Sequence, residues 1–199
     1  MNKVNYDNLY KKQWNNLYQK DFIGPRKKIV LSLFPKNNGR NLDIGCGIGD
    51  FMLNLIKEGI NVEGIDFSEE AIKNAKKKDL NVKLKFKDNT FSTITAIDVL
   101  EHIKDDKKAI NEWCRVLNRN GTIIICVPFN KRFWRKDDEE VGHYKRYELK
   151  DFKKLLNRKF EIEKVRYYGF PFYMLARELK LIFLKKQNLT TGCFAKELS

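Results

Sequence analysis

The sequence predicts an α/β fold, a mostly parallel sheet with helices on both faces, and three stretches carry that prediction. Asn41-Leu42-Asp43-Ile44 is a short apolar strand that runs into Gly45, Gly47 and Gly49 and then into an amphipathic helix from Phe51. A second strand, Asn61 to Ile65, is followed by a second helix, Glu69 to Lys77, and this alternation implies parallel strands joined by crossovers. Thr122 to Val127 is almost wholly apolar, as a central parallel strand covered on both faces must be.

The glycine turn is the first candidate site. Glycines there let the chain turn with no Cβ in the way, so that backbone N–H groups approach a ligand at a helix N-terminus. The spacing is G-x-G-x-G, whereas the dinucleotide fingerprint G-x-G-x-x-G places its third glycine one position later for a pyrophosphate. Asp43, two residues before Gly45, adds a carboxylate that suits a cationic amine better than phosphates. Asp66 ends the second strand, where a carboxylate can accept hydrogen bonds from both hydroxyls of a ribose, and Ser68 is placed to cap the next helix.

The remaining elements follow from periodicity and punctuation. Tyr6, Leu9, Tyr10, Trp14, Leu17 and Tyr18 recur at helical spacing and predict an N-terminal helix over 5–20. Gly24 to Phe34 is a helix with Pro25 in its first turn, and Pro35 to Gly39 turns into the first strand. The helix after the glycine turn ends near Gly59. Thr93 to Asp98 is the next strand, Lys107 to Leu117 a helix with Ile110, Trp113, Val116 and Leu117 on one face, and Asn120-Gly121 a turn. Glu148 to Asn157 reads as a helix and Phe160 to Arg166 as a strand. Leu179, Ile182 and Phe183 recur at helical spacing, which predicts an amphipathic basic helix over 170–186 that covers the sheet, covers the substrate pocket or lies on an anionic membrane surface. Thr190 to Ala195 is the final strand.

Four segments together, Leu42 to Gly49, Gly64 to Ser68, Phe91 to Ile103 and Leu117 to Ile125, resemble the successive motifs of the class I S-adenosylmethionine-dependent methyltransferases in order and spacing. The resemblance covers roughly residues 24 to 165. It implies a Rossmann-like sheet of seven strands with an antiparallel last strand, in one domain over 1–199 with an N-terminal lid (1–22), a substrate-side loop (128–147) and a helical cover (170–186). It also implies S-adenosyl-L-methionine as cofactor, held by Asp43, Gly45, Cys46, Gly47, Gly49, Asp66, Phe67, Asp98, Val99 and His102. Against the family pattern Asn81 to Phe91 is several residues short, which implies a short or irregular strand there and leaves the usual acidic contact to the adenine amine without a clear counterpart; Asp88 is the only acidic candidate near it, and backbone groups around Lys85 and Phe86 are the alternative.

The stretch from Pro128 to Tyr147 is the most distinctive. Lys131, Arg132, Arg135 and Lys136 stand against Asp137, Asp138, Glu139 and Glu140, and Gly142-His143-Tyr144-Lys145-Arg146-Tyr147 follows. That run is similar to a Gly-His-x-Arg-Tyr signature in a subset of the family acting on small molecules, glycan-type and lipid-linked substrates, with one extra residue between His and Arg. The resemblance makes His143 a general base or substrate orienter, with Tyr144 and His102 as further catalytic candidates, and Arg146, Tyr147, Tyr10 and Trp14 as substrate contacts. Equally, His143 and Arg146 tie the loop to the acidic run before it.

Net charge is +14 over 199 residues. Such a balance favours nucleic acid, phosphorylated substrates or an anionic membrane surface as partners, or reflects a lysine-rich proteome, since the lysines are spread along the chain. This charge puts RNA methylation beside methyl transfer to an O- or N-nucleophile of a small molecule or glycan-type substrate, and the shortened segment after Asn81 keeps cofactor or RNA binding without turnover as a competing class. The four cysteines are far apart and form no C-x-x-C pair, so they read as reduced packing residues of a cytoplasmic protein, and the spacing predicts no metal site. Residues 1–20 lack a secretion signal, and no apolar run is long enough to span a bilayer.

Overall fold

Backbone hydrogen bonding and apolar burial resolve these elements into one sheet between two helical layers. The computed structural model describes residues 24–36, 39–77, 86–156, 159–168 and 179–186. In chain order they form α1 (Pro25–Ser32), β1 (Asn41–Ile44), α2 (Asp50–Lys57), β2 (Val62–Ile65), α3 (Glu69–Lys77), β3 (Phe91–Ile97), α4 (Asp106–Val116), β4 (Leu117–Pro128), α5 (Lys136–Glu140), α6 (Leu149–Leu156), β5 (Phe160–Tyr168) and β6 (Leu179–Lys186). Two single 3-10 turns, Leu100–His102 and Lys131–Phe133, follow β3 and β4.

The strand order is β2-β1-β3-β4-β6-β5, with β2, β1, β3 and β4 mutually parallel and β6 antiparallel to both β4 and β5. Successive β4 residues enter opposite faces, as a pleated strand requires. Ile123, Ile125 and Val127 join Ile110 and Trp113 of α4 and Phe152 of α6 in one core, while Ile124 and Cys126 join Val30 of α1 and Phe51, Met52 and Leu55 of α2 in the other. Both faces of β4 are therefore dry from Ile123 to Val127, which is why that run is apolar without alternation. Cys46, Cys114 and Cys126 are buried thiols within this packing.

The register brings the carboxyl ends of the parallel strands level. Ile44 stands opposite Ile65 and Ala96, and Ile97 opposite Cys126, so the segments that leave β1, β2, β3 and β4 emerge along one edge. In a doubly wound sheet that edge is where ligands bind.

Two expectations are corrected. The predicted helix over 170–186 is, in its described part, strand β6, paired residue for residue with β4 from Thr122↔Lys185 to Pro128↔Leu179. A run as short as Leu179–Lys186 fits either period, and hydrogen-bonding partners on both edges decide for the strand. The antiparallel strand between the last two is therefore this segment; the expected strand at 190–195 lies outside the described residues. The loop over 128–147 is also more ordered than a loop, folding into a 3-10 turn, α5 and a bridge between Phe129 and Tyr147. The N-terminal lid with Tyr10 and Trp14, and residues 81–85, fall outside the described residues, and six strands are described in all. No helix among the described residues is long and apolar enough to cross a membrane.

Candidate active site

The turn after β1 is shaped by three left-handed residues, with φ of 68° at Gly45, 55° at Gly47 and 79° at Gly49. Gly45 N–H and Cys46 N–H both donate to Ile65 O, at 2.8 and 3.0 Å, which fixes the turn to the end of β2. A Cβ at Gly45 would lie 2.3 Å from Val99 Cγ2, so the backbone passes directly beneath the segment leaving β3. Cys46 is 4% exposed with its thiol in the core beside Gly64, leaving only its backbone to meet a ligand.

Asp66 is buried at the end of β2, and its carboxylate accepts from Gly47 N–H at 2.8 Å and from Ser68 N–H at 2.9 Å. Ser68 in turn caps α3 by accepting from Ala71 N–H at 3.1 Å. Together these bonds aim the Asp66 carboxylate along the glycine turn. Phe67 beside it is 69% exposed. Asp43 lies inside the turn, 3% exposed, and accepts from Thr95 Oγ1 at 2.7 Å. Burial pushes its carboxyl up to about 7, against the lowering effect of the Thr95 hydrogen bond.

Beyond β3, Asp98 takes a positive φ of 56° and its N–H donates to Cys126 O at 3.0 Å. Its carboxylate is ion-paired with Arg26 of α1, and Lys27 on the next position pairs with Asp50 at 2.5 Å. The 3-10 turn that follows carries Glu101 and His102. Glu101 is fully buried, its two carboxylate oxygens have no hydrogen-bond partner among the described residues, and burial together with the charge of Asp98 holds its carboxyl well above the usual range.

The segment after α5 closes over this turn. Tyr144 N–H donates to Glu101 O at 2.7 Å, Gly142 O lies 3.3 Å from His102 Nδ1, and the rings of His102 and His143 meet edge to face with centroids 4.7 Å apart. His143 Nδ1 is 2.8 Å from Asp138 Oδ1, and its Nε2 is 3.9 Å from Glu101 Oε1. Burial lowers the pKa of both rings, to about 4 at His102, where the His143 charge adds to the effect, so the uncharged, lone-pair-bearing imidazoles prevail at neutral pH. Asp138 is the hub. It receives Arg146 through Nε and Nη2 at 2.9–3.1 Å and Arg135 N–H at 2.9 Å, and these donors keep its own carboxyl below the ordinary carboxylate value despite burial.

The structure therefore gathers Asp43, the glycine turn, Asp66, Phe67, Asp98, Val99, His102, His143 and the half-exposed Tyr144 along one edge of the sheet. It withholds three other candidates from a ligand, one by placing it elsewhere and two by burial. Asp88 sits at the opposite end, where β3 begins, ion-paired with Arg115 beside Phe86 O, and cannot meet a ligand in the glycine turn. Tyr147 is 1% exposed, its hydroxyl 3.1 Å from both Leu100 O and Asp106 Oδ2, which makes it a core residue and not a substrate contact. Arg146 is 6% exposed and spent on Asp138, the loop-tying role that the sequence left open.

Sequence reasoning missed Arg26, Lys27, Thr95, Glu101 and Asp138. Of these, Asp138 lay in the acidic run to which His143 and Arg146 could be tied, but nothing local set it apart from its three neighbours.

Residues 18–189 match the family model described as "Methyltransferase domain". This chain belongs to that family. Within it, the chain is 34% identical over 166 residues to the ubiquinone/menaquinone biosynthesis C-methyltransferase UbiE of Rickettsia typhi, covering 65% of either chain. It is 36% identical over 106 residues to norajmaline N-methyltransferase of Rauvolfia serpentina, covering 46% of this chain and 35% of that one. The chain thus spans between about a third and two thirds of the length of these curated relatives. In fold it is similar to Haemonchus contortus phosphoethanolamine N-methyltransferase 2, with a TM-score of 0.69 at 20% identity, over 87% of this chain and 56% of that one. The Rossmann-like class I methyltransferase architecture agrees with the sheet order found here.

Proposed function

We propose that this methyltransferase-domain protein binds S-adenosyl-L-methionine in the cleft formed by the glycine turn, Asp43 and Asp66, and transfers its methyl group to an O- or N-nucleophile of a small molecule. The observation that carries the reading is the Asp66 carboxylate, held by Gly47 and Ser68 N–H groups at the end of β2 and so poised for a ribose diol. Asp43 sits at the other side of the turn for the cofactor's amino group, and the Asp98–His102 segment, packed on Gly45 through Val99, leads from the cofactor towards the acceptor.

The sulfonium already activates the methyl group, so the protein's task is mainly to hold nucleophile and methyl in line, worth effective molarities of about 10⁵ to 10⁸ M. An acceptor hydroxyl or ammonium must also lose a proton. His143 is suited to take it, because Asp138 fixes the ring through Nδ1 and leaves Nε2, 3.9 Å from Glu101 Oε1, with a lone pair at neutral pH. Tyr144 stands beside it at half exposure to orient the acceptor.

Replacing Asp66 by Ala is expected to weaken S-adenosylhomocysteine binding, measured by calorimetry, by on the order of 1 to 3 kcal/mol. Affinity equal to wild type would remove the basis of the reading.

The affinity for S-adenosylmethionine is also expected to depend on pH through Asp43. The folded protein holds this carboxyl neutral up to about pH 7, whereas an unfolded Asp ionises near 3.8. Ionising it in the empty site therefore costs stability as pH rises between those values. A ligand ammonium favours the ionised form, so binding releases a proton and weakens as pH falls below about 7, by at most about tenfold per unit. Titrations across this range in Asp43→Asn should lose that slope; a wild-type affinity flat with pH would contradict the pairing.

A further inference from the structure

We infer that Glu101, His102 and His143 form a binding site for one divalent transition-metal ion beside the cofactor cleft. One ligand atom from each of the three lies within 4.8 Å of the others, as atoms sharing an ion about 2.0–2.2 Å away must after modest closure. The chain has two histidines in all, and both are here, brought together from loops that follow different strands. Linear spacing hid the cluster, which is why the sequence predicted no metal.

Two features point to an ion and not merely to polar packing. Glu101 is fully buried with neither carboxylate oxygen hydrogen-bonded among the described residues, one of them 3.9 Å from His143 Nε2. A buried carboxylate in that condition costs the fold stability, and a cation would supply what it lacks. The second is the orientation of the rings. Asp138 binds His143 Nδ1 at 2.8 Å, the arrangement by which a carboxylate turns the opposite ring nitrogen toward a metal. His102 Nδ1 faces Gly142 O at 3.3 Å in the corresponding backbone version.

Two imidazoles and one carboxylate suit Zn²⁺, Fe²⁺ or Co²⁺ better than Mg²⁺ or Ca²⁺, which take all-oxygen shells. Three protein ligands leave a position open for water or an acceptor oxygen. That use of the ion rests on the methyl transfer proposed above but replaces its assignment of His143 as proton acceptor, since a metal-bound Nε2 has no lone pair to give; the site itself rests on neither.

The probe is Co²⁺ alone, added to chelator-stripped full chain that carries no added histidine tag. The expected result is the visible spectrum of coordinated cobalt, saturating at one ion per chain and displaced by Zn²⁺. Glu101→Gln and His143→Ala should each weaken Co²⁺ binding by about a hundredfold or more. Glu101→Gln also keeps the shape while removing the unpartnered carboxyl group, so in metal-free buffer it should keep a melting temperature close to wild type, which separates lost binding from lost fold. No Co²⁺ uptake by folded wild type, or equal uptake by both variants, overturns the site. S-adenosylhomocysteine titrated into the same samples separates the two readings. Cofactor binding without Co²⁺ uptake sinks the ion alone, and specific Co²⁺ uptake without cofactor binding upholds the site while sinking the transferase role.

Discussion

Asp138→Ala is expected to lose about 3 to 5 kcal/mol of stability, the cost of leaving a buried guanidinium without its partner. Arg146 and Asp138 expose only 7% and 3% of their side chains, and the pair is joined by Nε and Nη2 at 2.9–3.1 Å. For a chain of this size that loss corresponds to a fall in melting temperature of roughly 6 to 20 °C. The same substitution removes the acceptor for Arg135 N–H and frees the His143 ring, so any activity should fall further than stability explains. Pairing Asp138→Leu with Arg146→Met tests the cause, since an apolar pair of similar volume should recover much of the stability but none of the His143 orientation. A melting temperature within about 2 °C of wild type for the single variant would mean that Arg146 finds other partners and that the hub assigned to Asp138 does not exist.

Gly45→Ala is expected to be comparably damaging by another route. The residue has a φ of 68°, which costs an L-side chain about 1–2 kcal/mol, and its new Cβ would stand 2.3 Å from Val99 Cγ2. Overpacking of that kind adds about 1–3 kcal/mol as the β3 exit or the turn shifts. Either shift moves Asp98 or the N–H groups of the turn, so cofactor affinity should fall with stability. Adding Val99→Ala should recover the steric part and leave the conformational part, a separation read by denaturant unfolding of the two single variants and the double variant. Purely additive losses in that cycle would show that Gly45 and Val99 do not meet.

These two variants also mark the limit of what could be read from the sequence. The glycine turn, Asp43 and Asp66 were legible because each is fixed by its place relative to a strand end, and strand–turn–helix order is written locally. Gly45 was read as a ligand-side glycine; that it must also clear Val99 depends on β1 and β3 lying side by side. Asp138 was one of four acids in a row, and only the fold of α5 picks it out to meet Arg146 and His143. Glu101 stood within a quoted motif and was passed over, because its burial comes from the loop that closes on it through Tyr144. Misplacement of Asp88 and Tyr147 has the same origin. Their residue types suit a ligand, but the start of β3 lies at the wrong edge for one, and the bridge from Tyr147 to Phe129 turns the other into the core. The helix predicted at 170–186 failed for a different reason, since an apolar run of that length carries no decisive period and its pairing with β4 and β5 is long-range.

Calorimetric titration of the folded wild-type chain with S-adenosylhomocysteine bears most directly on the central claim, that the glycine turn with Asp43 and Asp66 is a cofactor site. Saturable binding of one molecule per chain, weakened in Asp66→Ala, is the expected result. A chain that is folded by circular dichroism and gives no binding heat with either S-adenosylhomocysteine or S-adenosylmethionine at any pH tested would contradict it.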